Sequence, residues 1–258
     1  MGFWNILTGG KQLSPEEEKQ QQDAKKFDLL KYDGVKAMKM NQADYAVRCF
    51  TEALKIQDDL EIHEYLSLVL LRQGNLDAAL SELNTLAEAE PENAQIQMRI
   101  AEVAYMLEDY DMMGKAAQQA IDTEKENPHA HFLAAKACLG QQNVVGGIAF
   151  LTKAIALEEG FADAYLLRGQ TLLAMGDTAS ADNDGQWLAE HVGDQEDALL
   201  LRAQIAEAKG NRDEANALYE KIKEVNPFWL QDVSGEFTGE GIEEQVKRAY
   251  SAVNPLGL

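Results

Sequence analysis

The chain has 258 residues and carries 23 basic against 44 acidic side chains, a net charge of −21. So acidic a chain is repelled by a phosphate backbone, which argues against nucleic acid as a partner. The excess is uneven: residues 1–59 are nearly balanced with nine basic and ten acidic groups, while residues 60–258 carry 14 and 34. Such a surface keeps a protein in solution, or draws a basic partner.

The first residues read as an apolar tag, Phe3, Trp4, Ile6 and Leu7, with too short a run and too little basic charge for a signal peptide. Ile6 stands where a myristoylation motif needs a hydroxyl, and no stretch is long enough to span a membrane. Cytoplasm is the default expectation. The tag either packs onto the helices next to it in the chain or docks to a partner or membrane surface. Ser14-Pro15-Glu16-Glu17-Glu18 then marks a helix start: a serine cap, proline in the first turn, acids against the positive dipole end. The polar stretch from Lys19 to Phe27 extends that helix.

From there a fixed pitch governs the chain. One column of small residues runs Gly34, Ser67, Ala101, Ala135, Gly169, Ala203. A second runs Ala46, Ala79, Met113, Gly147, Ala181, Ala215, and a third runs Ala53, Leu86, Ala120, Ala154, Leu188, Ile222. Each column steps once by 33 residues and then by 34. Three columns in register are the mark of a repeat array. Within a period the apolar residues follow helical spacing twice, as in Ile62, Leu66, Val69, Leu70 and then Leu76, Leu80, Leu83, Leu86. Gln73-Gly74-Asn75 separates these helices, where glycine supplies a left-handed residue. Met175-Gly176-Asp177 and Lys209-Gly210-Asn211 repeat that break, and Asn41, Glu108 and Gln142 hold the same place without a glycine. Pro91, Pro128 and Pro227 close periods. The unit is a pair of antiparallel helices, and because one pair cannot bury both stripes, pairs must stack. The fold class is all-α, a solenoid of about six such pairs. Asn183-Asp184-Gly185 is expected to break the second helix of the fifth pair.

Those residues resemble the tetratricopeptide repeat, whose unit has W-x2-L-G-x2-Y, then A-x3-F, then a closing proline. Ala46-x3-Phe50, Ala79-x3-Leu83, Ala215-x3-Tyr219, Arg168-Gly169, Pro91 and Pro227 carry the likeness. Leu30, His63, Gln97, His131, Tyr165 and Leu199 stand at the tryptophan position, and Met113 and Gly147 replace the small alanine. The resemblance implies a right-handed solenoid over residues 27–229, in units 27–59, 60–93, 94–127, 128–161, 162–195 and 196–229. Residues 1–26 form the tag and polar helix. Residues 230–258 form a loop and a capping helix from Ile242 to about Val253, anchored by Phe228 and Trp229.

Little in the chain points to catalysis. The termini are too short for a separate catalytic core. Gly239-Glu240-Gly241 lacks the strand and motif of a phosphate loop, and no Ser-His-Asp signature is visible. His129 and His131 lie about 200 degrees apart on a helix and cannot share an ion. The four histidines read as solvated or edge residues, Cys138 as a small buried hydrophobe, and neither metal nor cofactor is implied.

The resemblance implies instead a concave face, lined by the first helices, that holds an extended peptide. The corresponding positions in the first three units are Lys31, Tyr32, Lys39, Tyr65, Arg72, Arg99 and Tyr105. In the later units they are Phe132, Leu133, Lys136, Leu139, Leu166, Leu167, Leu173, Leu200 and Leu201. Half of that face is basic and aromatic, half apolar. The family's carboxylate clamp is matched only by Lys31 and Arg99, with Val35, Tyr65 and Gln95 at its other places, so recognition of a chaperone's terminal carboxylate is not expected. The expected function is a non-catalytic scaffold for a protein or peptide partner. The alternative is a self-associating module whose groove is filled by its own or a neighbour's terminal segment.

Overall fold

The computed structural model of the protein describes residues 14–226, which form twelve α-helices and no strand. The chain divides into two compact units, one ending at Glu92 and one beginning at Asn93. The first contains α1 (Pro15–Lys39), α2 (Ala43–Leu54), α3 (Leu60–Arg72) and α4 (Leu76–Ala89). The second contains α5 (Ala94–Met106), α6 (Tyr110–Thr123), α7 (Pro128–Gly140), α8 (Val144–Leu157), α9 (Ala162–Ala174), α10 (Thr178–His191), α11 (Glu196–Ala208) and α12 (Arg212–Val225). This is the all-α repeat fold that the periodicity predicts. The apolar tag and the capping helix lie outside the described residues.

The breaks inside each pair share one geometry. Their middle residue is left-handed every time: Asn41 (φ 57°), Gly74 (72°), Glu108 (58°), Gln142 (61°), Gly176 (85°) and Gly210 (79°). The next amide reaches back to a carbonyl of the finished helix, as in Asn75 N to Leu70 O (2.9 Å), Asn143 N to Cys138 O (2.8 Å) and Asn211 N to Ala206 O (2.8 Å). That six-to-one bond satisfies a carbonyl orphaned at the helix end. The same residue then starts the next helix. Asp109, Asn143 and Asp177 accept bonds from the amides of Met112, Gly146 and Ser180 through their side chains. At the beginning of α1, Ser14 and Glu17 form the reciprocal capping box that the sequence marks.

The repeat columns are the core. Ala46, Ala53, Ala79, Ala101, Met113, Ala120, Ala135, Ala154, Ala181 and Ala203 are fully shielded from solvent. The glycines in these columns allow close crossings. A Cβ on Gly34 would lie 2.5 Å from the Phe50 ring, and one on Gly169 would lie 2.8 Å from Leu201. Each is a contact that no larger residue could make without moving its neighbour.

One expectation is corrected. Asn183-Asp184-Gly185 does not break α10, which runs unbroken from Thr178 to His191. Asp184 is 2% exposed, yet its carboxylate accepts from Arg168 Nε (3.0 Å) and Nη2 (2.7 Å), which removes the cost of burying it alone. Gly185 admits Ile205 of α11, whose Cδ1 would sit 3.0 Å from an added Cβ. Residues that favour turns in isolation are here held helical by what packs on them.

Candidate partner-binding face

On α5, Gln95, Met98, Arg99 and Glu102 follow the three-and-four spacing that puts side chains on one helical face. On α7, His129, Phe132, Leu133 and Lys136 do the same. The helices lie beside one another, and these two faces with Asn127 line a cleft of about 390 Å³. Its walls are apolar at Met98, Phe132 and Leu133, and its polar groups come from both helices.

Lys136 is the unusual member. Its ammonium lies 3.4 Å from the centroid of the Tyr105 ring and 5.9 Å from that of Phe132, a cation held by aromatic faces. Among the described residues no carboxylate forms an ion pair with it. Burial pushes its pKa below the ordinary lysine value, with Glu102 and Asp163 opposing that shift only through space. Phe132 is fixed in turn by Phe161 at 5.1 Å between centroids, and Phe161 also meets His129 at 4.8 Å. The cleft is therefore preorganised by rings.

The first unit treats its cations differently. Lys31 on α1 is paired with Asp59 at 2.9 Å and Glu61 at 2.7 Å. Burial alone would lower its pKa, but the bonds to those two carboxylates outweigh it and the net direction is upward. Tyr65 donates its hydroxyl to the same Glu61 at 2.5 Å and stacks on Phe50 at 5.8 Å. Tyr32 is 65% exposed, and Lys39 and Arg72 are not buried either. Of the basic and aromatic residues expected on this face, Arg99, Phe132 and Lys136 meet in one cleft, with Tyr105 beneath Lys136.

The apolar half of the expected groove is largely internal. Leu200 is 7% exposed and packs with Ala203, Leu218 and Tyr219. Leu139 and Leu201 are buried, the first filling the space left by Gly147. Leu166 and Leu167 are partly buried against neighbouring core clusters. Leu200 is packed against α12 of its own pair, so it is a packing residue and not a surface anchor. Met98 and Glu102 also line the cleft although the sequence reading does not single them out, and their helical spacing around Arg99 is the signal that could have found them.

Two histidines also differ from expectation. His63 and His131 are only 9% and 6% exposed, whereas His129 and His191 are not buried. His63 is buried at the tryptophan position because its ring nitrogens meet Glu82 (2.5 Å, Nδ1) and Asp58 (2.8 Å, Nε2). His131 Nε2 donates to the Lys125 carbonyl at 3.0 Å. Cys138 is half-buried with its thiol pKa raised by burial, and Cys49 is the fully buried cysteine. No helix among the described residues is long and apolar enough to cross a membrane.

Comparison with known proteins agrees with this architecture. Residues 34–89 and 66–111 match one tetratricopeptide-repeat model, and residues 196–228 match another. No curated protein matches the chain by sequence. Among solved structures, PilW, a type IV pilus biogenesis factor, aligns with TM-score 0.65 and 19% identity over 81% of this chain and 95% of its own. PilF of Pseudomonas aeruginosa aligns with TM-score 0.63 and 16% identity over 80% and 94%. YrrB, described as a TPR protein with an unusual peptide-binding site, aligns with TM-score 0.54 and 19% identity over 69% and 92%. At such identities these likenesses concern the fold alone. With its repeat columns buried, its breaks of one geometry and two family models matched, the chain belongs to the tetratricopeptide-repeat proteins.

Proposed function

We propose that this protein is a non-catalytic interaction scaffold that takes a segment of a protein partner on the face formed by α5 and α7. The observation that carries this reading is the cleft around Lys136 and Phe132, where three apolar side chains and six polar ones line one concave face and the lysine is held by rings. The fold supports it, since stacked helix pairs offer extended surfaces, and the fold neighbour YrrB is described as having a peptide-binding site. The test is capture from the native host's lysate by the purified chain and by a Phe132→Ser, Lys136→Glu double variant, with helicity checked by circular dichroism. A partner retained by the first and lost by the second supports the cleft. Equal capture by both moves the interaction to another surface.

Self-association is a second reading, favoured by Leu29, Tyr32 and Met40, which are 60%, 65% and 58% exposed on or beside α1. Light scattering across dilution separates the two, because a monomer at every concentration removes the second.

A further inference from the structure

We infer that the α5–α7 cleft recognises an acidic side chain, an aspartate or glutamate of the partner segment flanked by an apolar residue. This rests on the scaffold reading above and specifies its ligand. Other partly buried cations are paired with carboxylates, Lys31 with Asp59 and Glu61 and Arg168 with Asp184. Lys136 has no such partner among the described residues and rests on Tyr105 and Phe132 instead.

A ring face stabilises an ammonium from one side and leaves its other N–H donors free, because an aromatic quadrupole is not a carboxylate acceptor. Those donors border a cleft that is open to a ligand. A carboxylate arriving there forms a charge-assisted hydrogen bond in a partly desolvated setting, where such a bond is stronger than at an exposed site. Phe132 beside it, partly exposed where Met98 and Leu133 are buried, accepts an aliphatic or aromatic neighbour of that acid. Glu102, which lines the same cleft, and the long-range field of the acidic chain both oppose an acidic ligand, and salt at physiological strength screens that field beyond about 8 Å. Recognition is thus confined to contact range and depends on register, which favours one acid in an apolar segment over a run of acids.

The experiment is a selection of random twelve-residue displayed peptides against the full-length chain and against Lys136→Met and Lys136→Arg variants. Individual winners are then measured by fluorescence anisotropy. The expected result is a consensus with one aspartate or glutamate next to an apolar residue. Its acid-to-amide version should bind about tenfold more weakly, a ratio set by one charged hydrogen bond. The Lys136→Met chain should bind both versions equally, while Lys136→Arg retains the preference. Enrichment of peptides lacking an acid, or a preference that survives Lys136→Met, overturns this inference and leaves the scaffold reading standing. No enrichment on any form of the chain overturns both. Because Lys136→Arg keeps charge and bulk, it guards against a Lys136→Met chain that fails to fold.

Discussion

Lys31 and Lys136 both sit on the first helix of a pair, yet their surroundings are opposite. Lys31 is held between Asp59 and Glu61 and is spent inside its own unit. Lys136 is held by rings and keeps its donors unused by any carboxylate among the described residues. The same repeat scaffold thus makes a cation structural in one place and available in another. The difference is set by which side chains the adjacent helices bring, since the backbone geometry is shared.

That contrast can be pressed hardest where the second unit does bury a pair. Arg168 lies over the Tyr165 ring at 5.5 Å and is also bound by Asp184. Asp184→Ala leaves the guanidinium without its acid and should cost about 3–5 kcal/mol, read from the urea midpoint. A loss under about 1 kcal/mol would mean that the ring alone suffices for a buried cation. Next in size is the direct comparison. Lys31→Met strands Asp59 and Glu61 beside one another and should cost about 1 kcal/mol, whereas Lys136→Met removes a desolvated charge and should change stability by less than about 0.5 kcal/mol. Equal losses would erase the distinction between the two lysines.

His63 provides a smaller, pH-dependent test within the first unit. Burial alone would lower its pKa, but the bonds to Glu82 and Asp58 carry it above the ordinary value. A raised folded-state pKa means that protonation and folding favour each other. The contribution is fully present below about pH 6.5 and is lost as pH rises through the higher folded value. The stability gap between the native chain and His63→Gln should therefore narrow from mildly acid to alkaline conditions. A gap that widens on the alkaline side contradicts the assignment. Smallest of all is an effect at the turns. Glu108→Gly relieves a side chain held at φ 58° and should stabilise by about 0.5 kcal/mol, whereas Asn41→Gly, at φ 57°, should gain little because asparagine tolerates that region. Equal gains would show that the side chain at this position does not matter.

Much of the architecture was legible along the chain. The columns through Ala46, Ala101 and Ala203 announced the core, and Asn41, Glu108 and Gln142 were recognisable as turn residues from register alone. The misreadings concern two polar groups and one leucine inside that frame. Asp184 with Gly185 reads as a helix break, and His63 as an edge residue, because each is unfavourable until a partner arrives from another helix. Leu200 reads as a groove anchor because the resemblance assigns its position without saying how tightly α12 packs over it.

What the sequence determined by itself was everything with a period: helices, their breaks, the small residues at crossings and the family. Periodicity is a one-dimensional signal, and apolar burial depends mainly on which face of a helix a residue occupies. What only the tertiary structure decided was the state of each charge. An ion pair such as Lys31 with Asp59 links positions 28 residues apart, and Lys136 differs from it in having Tyr105 where an acid would lie. Electrostatic energy turns on a few ångströms of separation and on local water, and neither quantity is written in the repeat.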